Sequence, residues 1–408
     1  MQEPDPPAPE AVNPPTFYVP GTFRSDQSVG YLMRNVLRSI RDHANQRLAA
    51  HDLTYVQWLP LYKLAKNEGN TVAGLAREDA DVMSQVDGRP AYGGAPSDDS
   101  VRAAIIELRA RGLKVNLHPF IMMDIAAGNA LPNPWTGAAP QPNYPWRGDV
   151  TVDLAPGRAG TVDESSAAAA QIASFVGSAT PSDFSIDETG VVYSGPDEWT
   201  LRRMVLHYAT LAANAGGVDG FILSSELRGL TRVRGAGGAF PMTEALVSLA
   251  ADARAILGSS PIITYGADWT EYGGQVPAPG ELTFPLDALW ASPDIDVVGV
   301  DWYAPLSDWR DGAAHADAEI ANDPSNADYL QSRVASGEGF DWYYAGETDR
   351  VAQNRLPIAD GAYGKPWVYR VKDLVNWWSN AHVARAGNIE IGATAWTPKS
   401  KPIWLTEL

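Results

Sequence analysis

The sequence predicts an α/β protein whose main domain has a (β/α)8, TIM-barrel-like fold. From residue 97 onwards, segments with apolar residues at helical spacing alternate with short apolar segments that we interpret as strands. These strand segments are apolar throughout, which is typical of parallel strands buried on both faces. Polar and aromatic residues follow several of them directly, as on the rim that holds the active site of a barrel. An open doubly wound sheet would have a glycine-rich phosphate loop after its first strand, and the sequence contains none.

The chain is predicted to contain three parts. Residues 1–24 are rich in proline and lack the basic and apolar stretches of a signal peptide, so we expect a disordered arm. Residues 25–87 are expected to form a helical segment that leads into the barrel, because apolar residues recur there at helical spacing. The barrel is predicted over residues 88–408. Two stretches rich in glycine, proline and aromatic residues, at about 124–193 and 304–395, are predicted to be loop excursions.

Capping residues and apolar spacing predict the elements of the barrel. Ser97 is a typical N-cap, and Gly112 a typical end, for a helix that a strand over 113–122 follows. Another helix is predicted to begin at Ser194, where Asp197 completes a variant of the capping box. The further elements are a strand over 220–225, a helix over 243–257, and strands over 262–267, 295–303 and 401–408.

Composition and charge argue against several classes of function. The 408 residues carry a net charge of -18, which would repel a nucleic-acid backbone, so we expect no nucleic-acid partner. No apolar run approaches the roughly 18 residues that span a bilayer, so we expect a soluble protein without membrane insertion. Cysteine is absent and the six histidines form no metal-binding motif, so we expect neither a metal site nor a cofactor.

Two of the apolar strands end in a glutamate. Glu226 follows the strand over 220–225, and Glu407 lies in the strand over 401–408. Because the carboxyl ends of parallel barrel strands share one rim, we expect both carboxyl groups to face a common hollow. Two such carboxyl groups are the minimum equipment of a glycosidase. The alternatives are a structural salt bridge between Glu226 and Arg228 and a solvated glutamate near the chain end.

Other polar and aromatic residues near the strand ends are candidates for substrate binding. They are His118, Asp124, Asp268, Trp269, Asp301, Trp302, Tyr303 and Trp396. Carboxylates accept hydrogen bonds from sugar hydroxyls, and flat rings with a polar edge stack on sugar faces. Two alternatives stay open: His118 is a core histidine, and the Asp–Trp pairs only pack on the rim.

Six separated strings of the sequence resemble one known family. They are RPAYGGAPSD at 89–98, GLKV at 112–115, YPWRG at 144–148, SSELRGLT at 224–231, DGAYGKPW at 360–367 and KPIWLTEL at 401–408. These strings are similar to the TIM-barrel-like domain of gene transfer agents and of related phage tail baseplate proteins. The similarity extends from about residue 88 to the end of the sequence. Such domains are similar in turn to clan A glycoside hydrolases.

The resemblance implies a mechanism. In clan A the acid/base glutamate ends the fourth strand and the nucleophile ends the seventh, and these match Glu226 and Glu407, with the strands over 262–267 and 295–303 between them. We therefore expect a retaining glycoside hydrolase-like domain of a phage-like tail or baseplate protein that acts on a cell-surface polysaccharide. Tyr303 is expected to donate a hydrogen bond to the nucleophile.

The resemblance also implies partners, a location and two departures from the family pattern. Its partners would be a polysaccharide or oligosaccharide and other tail or baseplate proteins, in a virion-like particle made in the bacterial cytoplasm. Ser225 stands where the family usually has Asn before the acid/base. No seventh helix and eighth strand follow Glu407, so we expect a truncated barrel that lacks its last βα unit. The alternative function is a non-catalytic glycan-binding or structural baseplate module.

Overall fold

The structure is a computed structural model that describes residues 96–407, except positions 124, 127, 189 and 313, and the backbone of two strands at 84–86 and 89–91. The predicted arm over residues 1–24 lies outside the described residues, as does the predicted helical segment over 25–87 apart from 84–86. From residue 98 onwards, helices are interspersed among the strands, as in an α/β protein.

Strands and helices are numbered separately, in chain order. The strands are β1 (Ser84–Val86), β2 (Arg89–Ala91), β3 (Asn116–Leu117), β4 (Phe184–Asp187), β5 (Gly190–Tyr193), β6 (Gly220–Ser225), β7 (Ile262–Asp268), β8 (Val298–Asp301), β9 (Trp342–Tyr343), β10 (Leu356–Pro357), β11 (Val383–Ala386), β12 (Ile389–Ala393) and β13 (Ile403–Glu407). The α-helices are α1 (Asp98–Ala110), α2 (Ser166–Val176), α3 (Leu201–Asn214), α4 (Arg228–Thr231), α5 (Pro241–Leu257), α6 (Asp287–Ala291), α7 (Ala327–Ser332), α8 (Glu347–Ala352) and α9 (Leu374–Ser379). Short 3₁₀ helices lie at Arg147–Asp149, Pro181–Asp183, Ala236–Gly238, Ala316–Glu319 and Pro366–Tyr369. None of the helices in the described ranges is long and apolar enough to cross a bilayer.

Five parallel strands form one sheet in the order β13-β8-β7-β6-β3, and this sheet curls into a half-barrel. Its register pairs Ser225 with Gly266, Asp268 with Asp301, and Asp301 with Glu407. Because the strands are parallel, their carboxyl ends lie along one rim. The α/β class and the barrel-like architecture predicted from the sequence are therefore confirmed.

The sheet forms because its apolar residues are buried on both faces. All six residues of β6 are buried, and the side chains of Phe221 and Leu223 have no exposed surface. Helices α3 and α5 pack against each other and against β6, and they bury Leu206 and Leu246 completely. Each buried side chain of this size stabilises the fold by roughly 1.5–3 kcal/mol. This core holds the strand ends, and hence the rim, in place.

Two predicted helix starts have different outcomes. Helix α1 begins directly after Ser97, whose hydroxyl accepts a hydrogen bond from the N–H of Ser100, so this N-cap is confirmed. Helix α3 begins at Leu201 rather than at Ser194, so that predicted start is wrong by about two turns. Ser194 instead donates its N–H to the carbonyl of Asp183, which ties it to the β4–β5 hairpin.

The structure also corrects the predicted strand over 113–122 and the two loop excursions. Strand β3 contains only Asn116–Leu117. The excursion over 124–193 contains α2 and the β4–β5 hairpin, and that over 304–395 contains α7, α8, α9 and the antiparallel pairs β9–β10 and β11–β12. Most of these elements have two to six residues, which is too short for apolar periodicity to identify them.

Candidate active site

Glu226 follows β6 in a backbone conformation with a φ of +54°. A positive φ is unfavourable for a residue with a side chain, and it persists only where the surroundings hold it. The N–H of Glu226 donates to the Gly266 carbonyl at 2.8 Å, and the N–H of Leu227 donates to the Tyr265 hydroxyl at 2.6 Å. Strand β7 therefore fixes the turn at the end of β6 that positions Glu226.

One oxygen of the Glu226 carboxylate, Oε2, has two donors. Nε1 of Trp146 and a guanidinium nitrogen of Arg147 each lie 2.8 Å from it. Arg147 also donates to the carbonyl and the hydroxyl of Ser225, at 3.1 and 2.8 Å. The side chains of Arg147 and Glu226 are only 9% and 8% exposed, so their ion pair is buried. The salt bridge of Glu226 is thus with Arg147 rather than with Arg228, and Ser225 anchors that arginine.

The YPWRG string presents an aromatic ring beside this carboxylate. A Cβ added at Gly148 would lie 2.4–2.5 Å from three ring atoms of Trp146, so the indole packs directly on the Gly148 backbone. Gly229 in α4 also lies close to this segment, because a Cβ there would lie 2.3 Å from the Val150 carbonyl oxygen and 2.7 Å from that of Gly148. Trp146 nevertheless remains 39% exposed. Its ring is therefore fixed next to Glu226 and still accessible to solvent.

Glu407, the last residue of β13, lies on the same rim. Its Oε2 accepts a 2.8 Å hydrogen bond from the Tyr303 hydroxyl, the bond expected from the sequence. Its Oε1 lies 3.9 Å from Nδ1 of His118, a buried residue just after β3. The N–H of Trp302 donates to the Glu407 carbonyl at 2.8 Å. The side chain of Glu407 is only 12% exposed, so it is not a solvated glutamate.

The carboxyl groups of Glu226 and Glu407 converge with that of Asp301. One oxygen of each group lies within 4.8 Å of the other two. Retaining glycosidases have their two carboxyl groups about 5–5.5 Å apart, whereas inverting enzymes have them roughly 6.5–9.5 Å apart. The closest oxygens of the three groups are therefore near enough to face one sugar-sized hollow. Three such oxygens could also ligate a hard cation such as Ca²⁺, although Oε2 of Glu226 already has two donors.

Asp301 is more deeply buried than either glutamate. Its side chain has no exposed surface, and its Oδ1 accepts a 2.7 Å hydrogen bond from the Thr406 hydroxyl. Burial and the nearby charge of Glu407 raise the pKa of Asp301 to about 8, although the bond from Thr406 opposes this shift. Both effects favour the protonated form of this carboxyl group. Because its side chain has no exposed surface in this structure, the substrate-binding role predicted for Asp301 gains no support from its position.

Of the other predicted binding residues, Asp268 is buried, whereas Trp269 and Trp302 are partly exposed on the rim. Asp268 is 5% exposed, and its Oδ1 accepts hydrogen bonds from the N–H and the hydroxyl of Thr270, so it shapes the loop after β7. Trp269 and Trp302 are partly exposed at the ends of β7 and β8. Asp124 lies outside the described residues.

Trp396 lies within an aromatic cluster. Its ring is 4% exposed and stacks on Trp377 and His382, with centroid distances of 5.1 and 5.6 Å. His382 in turn bonds to Asp287 at 2.8 Å. Trp377 and His382 are only 5.0 Å apart, so both pack on the same side of Trp396. The ring of Trp396 is nearly inaccessible in this structure, and its predicted role in substrate binding gains no support from its position.

A buried network beneath the rim was not predicted from the sequence. Glu271 accepts hydrogen bonds from the hydroxyls of Thr231 and Tyr265, at 2.7 and 2.9 Å, and from the N–H of Asp268 at 3.0 Å. Burial raises the pKa of Glu271 to about 7, although these three donors lower it. The network joins the loops after β6 and β7, and Tyr265 extends it to Leu227. No sequence motif marks Glu271, whereas Trp146 and Arg147 lie in the YPWRG string.

Comparisons with known proteins give one family. No curated protein matches this chain. Two solved structures of a GH113 β-1,4-mannanase, one of them a complex, share 15% and 16% identity with it at a TM-score of 0.32. These alignments cover 63% of this chain and 59% of the mannanase, so the chain spans about three fifths of that protein, and a TM-score this low supports no argument about activity. The sequence family described as the GTA TIM-barrel-like domain matches residues 199–408, which is just over half of the chain. The chain therefore belongs to the family of gene transfer agent (GTA) TIM-barrel-like domains.

Proposed function

We propose that this domain is a retaining glycoside hydrolase that acts on a polysaccharide of a bacterial cell surface. Glu226 is the acid/base and Glu407 is the nucleophile. One observation carries the proposal: oxygens of these two carboxyl groups lie within 4.8 Å of each other on one rim of the sheet. Barrel enzymes hold their catalytic residues at this end of the strands, and the spacing suits a covalent glycosyl intermediate.

The two glutamates have different surroundings, as two different roles require. The hydroxyl of Tyr303 donates to Glu407, and a donor to a carboxylate favours the ionised form that attacks carbon. Oε2 of Glu226 is bound by Trp146 and Arg147. We therefore assign proton transfer to the other oxygen, Oε1.

The reaction has two steps that use the same two residues. In the first, an oxygen of Glu407 attacks the anomeric carbon, the glycosidic C–O bond breaks, and the proton of Glu226 passes to the departing oxygen. In the second, a water oxygen attacks the same carbon and gives its proton to Glu226 while the ester bond to Glu407 breaks. Two inversions give net retention, and both residues return to their initial state.

Aromatic and polar groups around the two carboxylates form the proposed sugar site. They are His118, Trp146, Asp268, Trp269, Trp302 and Tyr303. The exposed ring surface of Trp146 and Tyr303, together with the partly exposed Trp269 and Trp302, suits stacking on sugar faces. His118 is buried, and we assign it to holding Glu407 in position. Asp268 contributes through the loop that carries Trp269.

The family supports a proposal about location and partners. We assign this domain to the tail or baseplate of a virion-like particle, assembled in the bacterial cytoplasm together with other tail proteins. In that position, hydrolysis of a surface polysaccharide would clear the path of the particle to the cell envelope. The net charge of -18 suits a neutral or basic glycan better than an acidic one.

A second candidate function is glycan binding without turnover, and one observation favours it. Trp146 and Arg147 both hold Oε2 of Glu226, an arrangement that anchors this carboxyl group, whereas an acid/base must be free to approach a leaving group. A binding module would keep the aromatic rim and have no need of proton transfer. The two functions are separated by testing for turnover.

The test is a hydrolysis screen with three matched variants. The purified protein is incubated with aryl glycosides and with bacterial surface polysaccharides, beside Glu226→Gln, Glu407→Gln and, as a control, Glu107→Gln on the exposed face of α1. We expect hydrolysis of at least one substrate by the wild type and by the control. Glu407→Gln should lose at least about 1,000-fold in kcat on every substrate.

Leaving-group chemistry then distinguishes the acid/base from the nucleophile. A dinitrophenolate leaves without protonation, so Glu226→Gln should keep much of its first-step rate on dinitrophenyl glycosides and lose about 100-fold or more on unactivated sugars. If either glutamine variant retains full turnover on the unactivated polysaccharide, that residue has no part in the mechanism. Polysaccharide binding without any hydrolysis would instead support the second candidate.

A further inference from the structure

The Asp301 carboxyl group lies between the strands that carry the two glutamates. In the sheet, β8 is separated from β6 by β7 and is hydrogen-bonded to β13. A Cβ added at Gly266 on β7 would lie 3.0 and 3.2 Å from the two Asp301 carboxyl oxygens and 3.1 Å from Cβ of Ser225. Gly266 therefore leaves the space in which the Asp301 carboxyl lies over β7, towards the end of β6. The Asp301 carboxyl group can lie in the centre of the cluster because residue 266 is a glycine and has no side chain.

The two oxygens of Asp301 have different environments. Oδ1 accepts the hydrogen bond from Thr406, whereas Oδ2 is buried and has no hydrogen-bond partner among the described residues. A buried ionised oxygen without a donor is strongly unfavourable, while a protonated oxygen avoids most of that cost. The titratable and charged groups around Asp301 include Glu407 on β13, Glu226 after β6, Tyr265 on β7 and the guanidinium of Arg147, and His118 lies 3.9 Å from Glu407. Three ionised carboxylates would share the charge of the Arg147 guanidinium.

We propose that Asp301 is a positioning residue that stays a neutral acid, with its proton on Oδ2, and so allows Glu226 and Glu407 to lie close together. This inference rests on the proposed function for its catalytic meaning, although the protonation itself does not depend on any reaction. With Asp301 neutral, one negative charge fewer lies beside the two glutamates and the guanidinium of Arg147. An ionised Asp301 would add a charge next to the nucleophile and would push the two glutamates apart.

The titration of Asp301 supports the geometric argument. Burial, and after it the charge of Glu407, raises its pKa to about 8, while the Thr406 hydroxyl and Arg147 act in the opposite direction. The proton therefore remains through neutral pH and leaves above it. Loss of the Thr406 hydroxyl should raise the pKa further, because that bond favours the ionised form.

The experiment observes this proton directly. Protein with ¹³C-labelled aspartate carboxyl carbons is titrated from pH 5 to 10 by NMR, as wild type, Asp301→Asn, Thr406→Val and, as a control, Asp99→Asn at an exposed position of α1. We expect one carboxyl signal in the wild type that stays in its protonated position at pH 7 and titrates near pH 8. That signal should be absent from Asp301→Asn, unchanged in Asp99→Asn, and shifted to a higher midpoint in Thr406→Val.

Thermal unfolding gives a second measurement of the same proton. Asparagine resembles the neutral acid in shape and cannot ionise, so the Tm of Asp301→Asn minus that of the wild type should increase by at least about 2 °C between pH 6 and pH 9. Asp99→Asn should show no such trend. If the labelled Asp301 signal instead titrates near the ordinary aspartate range, the proposal is overturned.

A bound cation is the competing way to neutralise the cluster, and the same samples test it. CaCl₂, MgCl₂ and MnCl₂ are added separately at pH 7. A rise of several degrees in Tm for the wild type but not for Asp301→Asn would show a cation site and overturn the proposal. Equal changes in Tm for the two proteins would support the proposal that Asp301 carries a proton. None of these measurements needs a substrate, so they can be interpreted even if the hydrolase proposal fails.

If turnover is found, the alkaline fall of kcat should begin at higher pH in Asp301→Asn than in the wild type.

Discussion

Arg147 and Glu226 form a buried ion pair, with a guanidinium nitrogen 2.8 Å from Oε2 of the carboxylate. Arg147 belongs to the excursion over 124–193, and Glu226 follows a central strand of the sheet. The same guanidinium donates to the backbone and the hydroxyl of Ser225. The excursion is therefore attached to the candidate active site by an electrostatic contact. Its segment around residue 147 is part of the site.

Removal of this arginine should cost more stability than removal of an exposed one. Arg147→Ala leaves Glu226 as a buried charge without its cation, and breaking one partner of a buried pair typically costs about 3–5 kcal/mol. The control is Arg111→Ala, which breaks an exposed pair with Glu107 on α1 and should cost less than about 0.5 kcal/mol. Urea unfolding measures both. Equal losses in the two variants would show that the Arg147 pair is not buried in solution.

The hydroxyl of Tyr303 should matter for the rate more than for substrate affinity. Tyr303→Phe removes the 2.8 Å donor to Glu407, and a hydrogen bond to a charged group contributes about 1.5–3 kcal/mol. On a substrate from the hydrolysis screen, kcat should fall roughly 10- to 150-fold with little change in KM. The control is Tyr343→Phe on β9, outside the site, which should keep the wild-type kcat. A KM effect alone would assign Tyr303 to sugar binding instead.

Glu271 should make stability depend on pH. Its ordinary pKa is 4.5 and burial raises it to about 7, so between these values the folded protein binds more protons than the unfolded chain. Stability therefore falls as pH rises through this window, by at most on the order of 3 kcal/mol from this group. Glu271→Gln should show a shallower fall of unfolding free energy from pH 4.5 to pH 7. Glu107→Gln should keep the wild-type slope, and an unchanged slope in Glu271→Gln would contradict the shifted titration.

The sheet and its rim could be predicted from the sequence because their signals are local. The strand predicted over 220–225 contains the apolar run over 221–223 and begins shortly after the double glycine at 216–217, and the structure has β6 over the same residues. The strand predicted over 262–267 is also mostly apolar, and it forms β7, which extends to Asp268. Parallel strands then bring Glu226 and Glu407 to one rim, whatever the details of the connections.

The partners of these glutamates could not be predicted, because the contacts join residues far apart in the chain. Nothing in the local pattern around Arg147 indicates that it pairs with Glu226, and the nearer Arg228 was the natural candidate. The burial of Asp301 and of Trp396 was missed for a related reason. A residue at a strand end can face either the rim or the packed interior, and its sequence neighbours are the same in both cases.

The most direct test of the central claim is to trap the glycosyl intermediate on Glu407. A 2-deoxy-2-fluoro glycoside with a dinitrophenyl leaving group, made from the sugar found in the screen, slows the second step of a retaining mechanism more than the first. We predict that the intact protein gains the mass of one fluorosugar, that peptide mapping assigns it to Glu407, and that Glu407→Gln gains none. Turnover of the natural substrate without any such adduct, or an adduct on another residue, would contradict the account.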